Sequence, residues 1–158
     1  MLDDRICQCE YEFMPAPLRS KPRFDLERFF QALGDRTRLR LLNLMGDREI
    51  CVCYLAEILG SPQPKISRHL AYLRGAGIVA ARREGKWMHY RIAVPPHSGA
   101  ARILLETLAA LKDEKTTKAD RARLNKACCA PARNPTLHGA PIPLPIEART
   151  GAAICGVG

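Results

Sequence analysis

The sequence has no long apolar run. No stretch approaches the roughly 20 consecutive apolar residues that a membrane-spanning helix requires. Residues 1–5 also lack the basic segment followed by an apolar segment that is typical of a secretory leader. We therefore expect a cytoplasmic protein without a membrane partner.

Acidic residues are too few to balance the basic ones. The chain has 16 Asp and Glu against 25 Lys and Arg, which gives a formal net charge of +9. A surplus of this sign favours a polyanionic partner. Net charge does not separate nucleic acid from an anionic membrane surface, so the position of the basic residues along the chain has to decide.

Patterns typical of catalysis are also missing. No histidine or carboxylate stands at a recognisable catalytic spacing from the cysteines, and no glycine-rich loop that could hold a phosphate is present. We expect that the protein is not an enzyme.

Cysteine, by contrast, is abundant and unevenly placed. Seven cysteines occur, an odd number, and within each pair they are too close for an easy disulfide. In a reducing compartment such clusters are more often metal ligands than bridges. The cysteines are the pairs Cys7 and Cys9, Cys51 and Cys53, and Cys128 and Cys129, with Cys155 alone.

Composition divides the chain into three parts. Residues 1–23 contain three prolines and little periodicity, which indicates an N-terminal arm. Residues 24–125 show the apolar periodicity of a single folded domain. Residues 126–158 contain cysteine and are rich in proline, glycine and alanine, so we expect a flexible tail.

Apolar residues recur with helical spacing through most of the domain. The pattern predicts helices over about 24–33, 36–45, 50–59, 63–74 and 98–125. Asp35 and Ser61 are the expected N-caps of the second and fourth helices. The third and fourth helices, joined at Gly60, have the arrangement of a helix-turn-helix.

After Gly77 the apolar spacing changes to two. Segments 78–83 and 87–92 flank Glu84-Gly85-Lys86, which predicts a β-hairpin that would form a wing beside the helix-turn-helix. The expected fold class is mostly α with one small β-hairpin (α+β), a winged helix-turn-helix.

Polar and basic residues crowd the first turns of the fourth helix and the hairpin turn. A helix that enters the major groove presents such side chains to base edges and phosphates, and a basic hairpin can reach phosphate or the minor groove. A lone charged face is usually a solvated surface. The order of elements here instead favours double-stranded DNA. The candidate DNA-binding residues are Gln63, Lys65, Ser67, Arg68, His69, Arg82, Arg83 and Lys86. His89, in the middle of a strand, is assigned to packing or to the surface.

Cys51 and Cys53 stand at the start of the predicted third helix. In an ideal helix they lie about 200° apart around the axis, so they cannot bind one ion without distortion. Either the first turn is unwound at rest or ligation distorts it. The alternative is that both are small buried core residues. A helix N-terminus favours the thiolate form, and thiolates prefer soft ions, so we predict metalloid binding.

The segments SPQPKISRHL (61–70), LRGAG (73–77) and GKWMHYR (85–91) resemble the ArsR/SmtB family of metal-responsive repressors. The resemblance covers residues 24–111, and EICVCYL (49–55) is similar to the thiol box of the arsenic-responsive branch. It implies a homodimer with an interface built by the first and last helices. It also implies repression of a resistance operon without a cofactor, relieved when an inducer binds.

The family pattern leaves the third sulfur open. In some arsenic-responsive relatives a third cysteine follows three residues after the pair, but Ala56 occupies that position. Cys7 and Cys9 could complete the set, which resembles the cadmium- and lead-sensing branch. Cys128 and Cys129 could do so instead, which resembles vicinal pairs in other arsenic-responsive relatives; a buffer thiol or water is a further source. Residues 98–125 contain no histidine, which disfavours the zinc site of other relatives.

These observations predict a homodimeric repressor that binds operator DNA and dissociates when Cys51 and Cys53 capture As(III) or Sb(III). Two alternatives stay open. One is a Cd(II)- or Pb(II)-responsive repressor of the same fold, with Cys7 and Cys9 as ligands. The other is a repressor in which oxidation of a cysteine pair is the signal.

Overall fold

The computed structural model describes residues 24–130 and 134–146. Within these ranges, six helices enclose a core and a small antiparallel sheet lies beside them. The helices are α1 (Leu26–Leu33), α2 (Arg36–Met45), α3 (Val52–Leu59), α4 (Gln63–Gly75), α5 (Ser98–Asp113) and α6 (Lys115–Cys129), and Pro135–Leu137 forms a 3₁₀ turn. The strands are β1 (Arg48–Cys51), β2 (Val79–Glu84), β3 (Trp87–Ile92) and β4 (Leu144–Pro145). In the same ranges, no helix combines the length and the apolar composition needed to span a bilayer.

The first two helices begin at aspartate caps. The Asp25 and Asp35 carboxylates accept hydrogen bonds from the backbone N–H groups of Arg28 and Arg38, at 3.0 and 2.9 Å. Such a bond satisfies one of the N–H groups that a helix start leaves unpaired. The prediction that Asp35 caps α2 is confirmed.

The start of the third helix was predicted wrongly. Residues 48–51 form β1, and α3 begins at Val52 instead of Ile50. β1 pairs antiparallel with β3, with Ile50 opposite Tyr90 and Cys51 opposite His89. Pairing with the hairpin therefore outweighs the local helical pattern, because it buries Ile50 and Cys51 completely.

The cap of α4 was also predicted wrongly. Pro62 is the N-cap, and its carbonyl oxygen accepts from the backbone N–H groups of Lys65 and Ile66. Ser61 instead closes α3, because its N–H donates to the Ala56 carbonyl oxygen at 3.1 Å. This bond accompanies the left-handed φ of +60° at Gly60, a glycine-terminated helix end that turns the chain into α4.

The predicted hairpin is present, and it belongs to a larger sheet. β2 and β3 pair from Val79 opposite Ile92 to Glu84 opposite Trp87, with a two-residue connection at Gly85 and Lys86. The strand order is β2-β3-β1-β4. β1 therefore lies inside the sheet, between the hairpin and the C-terminal strand.

The predicted C-terminal helix is two helices. The chain breaks at Glu114, which is extended with ψ of 136°, and α6 then continues to Cys129. Thr117 is buried and its hydroxyl lies against the carbonyl oxygens of Leu111 and Glu114. The break lets α6 fold back against α2 and α3.

The tail prediction is wrong for the described part of residues 126–158. Residues 126–129 complete α6, and residues 134–146 pack against the domain. Leu137 is fully buried, and β4 pairs with the outer edge of β1. Apolar side chains and a strand edge with unpaired backbone groups explain this packing, which composition alone does not reveal. Residues 1–23 and 147–158, with Cys7, Cys9 and Cys155, lie outside the described residues.

α2 is the central helix. It contacts α1, α4, α5, α6, β1 and β3, and Leu41, Leu42 and Met45 on it are fully buried. A charged pair holds it to α6: Nε and Nη2 of Arg40 donate to the Asp120 carboxylate at 2.6 and 2.8 Å. Asp120 is fully buried and also accepts from Arg123. Burial opposes ionisation of Asp120, but these hydrogen bonds outweigh it and hold its pKa below the usual value.

Arg40→Ala should lower the free energy of unfolding by about 3 kcal/mol, the low end for breaking a buried pair, because Arg123 still contacts the carboxylate. Arg121→Ala, an exposed change on the same helix, is the control, and urea denaturation is the measurement. Since the folded pKa of Asp120 is depressed, its stabilisation is present above the unfolded pKa of about 3.9. It is lost as the pH falls through the folded pKa, and the difference between wild type and variant should shrink there. Equal losses in the two variants would contradict this role.

Candidate thiol centre and DNA interface

The sulfurs of Cys51 and Cys53 are adjacent. The Sγ atoms lie 2.6 Å apart, and no disulfide joins them. Cys51 is the last residue of β1 and the N-cap of α3, with φ −67° and ψ 142°, whereas Cys53 is in the first turn of α3. Because Cys51 is outside the helix, the separation expected in an ideal helix does not apply. Of the two distortions considered above, the resting fold has the first.

The two thiols share one proton. Cys53 donates a hydrogen bond to Cys51, and this bond lowers the pKa of Cys51 to about 7 against the opposing effect of burial. Backbone hydrogen bonds with Cys53, Met88 and Val52 lower it further. The same bond, together with burial and the charge on Cys51, raises the pKa of Cys53. Cys51 therefore ionises first, and the pair is a thiolate and a thiol near neutral pH.

Binding of a soft ion would spread this pair. Bonds of about 2.3 Å from one ion to both sulfurs, at ordinary bond angles, need the sulfurs on the order of 1 Å further apart than at rest. The ion would also replace the shared proton. Within residues 24–130 and 134–146, no three His, Cys, Asp or Glu side chains are close enough together to hold a metal ion. The resting site therefore supplies two sulfurs.

Tyr54 lies next to the pair and was missed by the sequence analysis, because a tyrosine in an apolar helix looks like ordinary core. Its side chain is fully buried, and its hydroxyl has no hydrogen-bond partner among the described residues. Burial raises the pKa of Tyr54 to about 12, and the charges of Cys128, Cys53 and Cys51 contribute in that order. Cys128 is half-buried, whereas its neighbour Cys129 is exposed.

The thiol centre is joined to the hairpin. Glu49, two residues before Cys51, accepts from Nε and Nη2 of Arg82 on β2 at 2.9 and 2.6 Å. Arg82 also contacts Glu84 at 2.6 Å. His89, opposite Cys51, is buried near both carboxylates, which agrees with its assignment to packing. The sequence analysis placed Arg82 on DNA and gave Glu49 no role, although their opposite charges were a usable signal.

The two faces of α4 separate as expected. Ile66, Leu70 and Leu73 are fully buried. On the outer face Gln63, Lys65 and Arg68 are exposed, and Ser67 is partly exposed. His69 is directed towards α2, where its Nδ1 lies 3.6 Å from the Asp35 carboxylate.

At the tip of the hairpin, Arg83 and Lys86 are exposed. Nε of Arg83 donates to the Gly85 carbonyl oxygen at 3.0 Å, and Nζ of Lys86 lies 4.8 Å from the centre of the Trp87 ring. Unlike these two cations, Arg82 is held by carboxylates on both sides.

The helix-turn-helix and the thiol segment also match known proteins. The sequence model described as "Bacterial regulatory protein, arsR family" matches residues 35–81. The arsenical resistance operon repressor of Escherichia coli (strain K12) is 39% identical over 106 residues, which cover 66% of this chain and 90% of that protein. The chain belongs to the ArsR family. As an ArsR-family protein it is a transcriptional regulator with a winged helix-turn-helix, and not an enzyme.

Other matches are shorter or more distant. The arsenic resistance transcriptional regulator ArsR1 of Pseudomonas putida is 52% identical over 64 residues, 40% of this chain and 50% of that protein. The homodimeric winged helix-turn-helix domain of Mb0332 from Mycobacterium bovis is 32% identical, covers 57% of this chain and 82% of its own, and has a TM-score of 0.46. The antimony-specific transcriptional repressor AntR is 28% identical, covers 63% and 95%, and has a TM-score of 0.44. Both scores are too low to add weight to the family assignment.

Removing the thiol that donates to Cys51 should raise the pKa of Cys51. In Cys53→Ala the thiolate loses its hydrogen bond, so the ultraviolet thiolate absorbance that appears near pH 7 in the wild type should appear at higher pH. Subtraction of the curve for Cys51→Ser isolates the signal of Cys51. An unchanged titration in Cys53→Ala would show that the shared proton does not set this pKa.

Lys65→Ala and Arg68→Ala should each weaken operator binding by about 1 to 3 kcal/mol if the side chain contacts a base. A contact to phosphate would instead weaken binding to all sequences and reduce its salt dependence. Lys126→Ala removes the same charge from an exposed position of α6 and is the control. Fluorescence anisotropy with operator and unrelated DNA measures both effects; parity with Lys126→Ala would rule out the assignment.

Proposed function

We propose that the protein is a homodimeric repressor that binds the operator of a resistance operon and releases it when Cys51 and Cys53 capture As(III) or Sb(III). The observation that carries the proposal is the pair of adjacent sulfurs at the junction of β1 and α3. The arsenical resistance operon repressor of Escherichia coli, 39% identical to this chain, supports the choice of inducer.

Two routes lead from the sulfurs to the DNA-facing elements. Cys53 belongs to α3, which passes through the turn at Gly60 into α4. Cys51 belongs to β1, which pairs with β3 and contacts β2 through Glu49 and Arg82. An ion that separates the sulfurs therefore pushes apart an element coupled to the recognition helix and an element coupled to the hairpin.

Release requires that the inducer bind more tightly to the form that does not bind DNA. A difference of about 3 kcal/mol weakens operator binding by over 100-fold. The separation of the sulfurs is the source of that difference in this account, because the resting distance of 2.6 Å does not suit an ion bound to both.

The dimer would form through α1 and α5. Leu26 and Phe30 on α1 and Ile103 and Leu105 on α5 are large exposed apolar side chains, between 38% and 55% accessible. Exposed apolar surface of this kind marks interaction sites. The homodimeric state printed for Mb0332 supports the same assembly. Two recognition helices related by a two-fold axis would bind an inverted-repeat operator.

Cys51→Ser should leave operator binding near that of the wild type and abolish release by arsenite. The serine hydroxyl preserves size but is a poor ligand for a soft ion. Cys155→Ser is the matched control and should still respond. Gel-shift titration of the operator complex with arsenite measures release. A Cys51→Ser protein that releases as readily as the control would place the sensor elsewhere.

The choice of effector has its own test. Replacing both Cys7 and Cys9 by serine should leave arsenite release intact under the present proposal, whereas cadmium release should collapse if these residues are ligands. Release under strict anaerobic conditions with a non-thiol reductant separates ligation from cysteine oxidation. Loss of the arsenite response under reduction would favour redox sensing.

A further inference from the structure

The last turn of α6 faces the thiol centre. α6 packs against α3, and Cys128 packs, half-buried, against the same apolar core as Cys53. Leu124 and Ala127 on the preceding turn are almost fully buried and fix which face of α6 is turned inward. Cys129 is exposed. The geometry therefore separates the two cysteines of the vicinal pair: one is directed towards α3, and the other towards solvent.

Tyr54 stands between the two sets of sulfurs. Among its neighbouring thiols the charge of Cys128 acts on it most strongly, followed by those of Cys53 and Cys51. Its hydroxyl is buried and lacks a hydrogen-bond partner within the described residues. A buried hydroxyl without a partner costs about 1 to 3 kcal/mol. The resting arrangement is therefore poorly satisfied at the point that all three thiols surround.

Trivalent arsenic forms three bonds, and the resting pair supplies two sulfurs. We propose that Cys128 supplies the third, with the last turn of α6 closing past Tyr54 onto Cys51 and Cys53. This inference rests on the proposed function and identifies the ligand that the substitution at Ala56 leaves open. Helix ends are the parts of helices that fray most readily, so the last turn of α6 can move while Arg40 and Asp120 hold the helix to α2.

The chemistry balances without an oxidant. Arsenous acid, As(OH)₃, reacts with three thiols to form three As–S bonds. Three As–O bonds break and three water molecules leave, while arsenic stays trivalent and no sulfur is oxidised. A monoaryl arsenical such as phenylarsine oxide, hydrated to a dihydroxide, reacts with only two thiols and releases two waters. The two reagents therefore report on the third sulfur and on the pair separately.

The test compares Cys128→Ser with the matched control Cys129→Ser in the full-length protein, in buffer without added thiol. With arsenite, X-ray absorption should count three sulfurs in the wild type and in the control, and two in Cys128→Ser. The arsenite affinity of Cys128→Ser should fall by about tenfold or more, because one arm of the chelate is lost. Phenylarsine oxide should bind Cys128→Ser as tightly as the wild type, which also shows that the variant is folded.

Tyr54→Phe provides a second check. It removes the hydroxyl and leaves the thiols, so it should keep three sulfurs on arsenite. Three protein sulfurs on arsenite in Cys128→Ser, or a loss confined to Cys129→Ser, would overturn the inference and leave the proposed function standing. Phenylarsine oxide binding that is unaffected by Cys51→Ser would overturn the proposed function, and this inference with it.

Discussion

The fold of the thiol centre depends on the pairing of β1 with β3. This pairing keeps Cys51 extended and outside α3, so its sulfur lies against that of Cys53 instead of on the far side of a helix. A purely helical segment would hold the two sulfurs about 200° apart around the axis. A short strand thus turns two residues of a Cys-x-Cys sequence into a pair able to share a proton, and able in our proposal to share an ion.

The same strand connects the centre to its surroundings. β1 lies between the hairpin and β4, and the ion pair of Glu49 with Arg82 crosses from β1 to the hairpin. α3 leads directly into α4, while α6 packs on α3 and is held to α2 by Arg40 and Asp120. A change of about 1 Å between the sulfurs therefore acts on a junction where the recognition helix, the wing and the C-terminal helix meet. Packed interiors transmit such shifts because they are close to incompressible.

The sequence predicted the features that local rules govern. Asp35 caps α2, the glycine turn connects β2 and β3, and the two faces of α4 separate at helical spacing. It did not predict features that depend on distant partners: β1 needs β3, β4 needs the edge of β1, and Ser61 is drawn into the end of α3. The adjacency of the thiols was also beyond reach, since an ideal helix forbids it. Tyr54 gave no local signal, because its position matters only through residues brought near it by α6.

The account makes the inducer and the operator compete through one conformational equilibrium, and such coupling is reciprocal. The most direct measurement is the arsenite affinity of the full-length protein, alone and saturated with operator DNA, at one salt concentration. The account predicts that operator-bound protein binds arsenite about 100-fold more weakly, the same factor by which arsenite weakens operator binding. Equal arsenite affinity in the two states would contradict it, because sulfur ligation would then be indifferent to the arrangement that holds DNA.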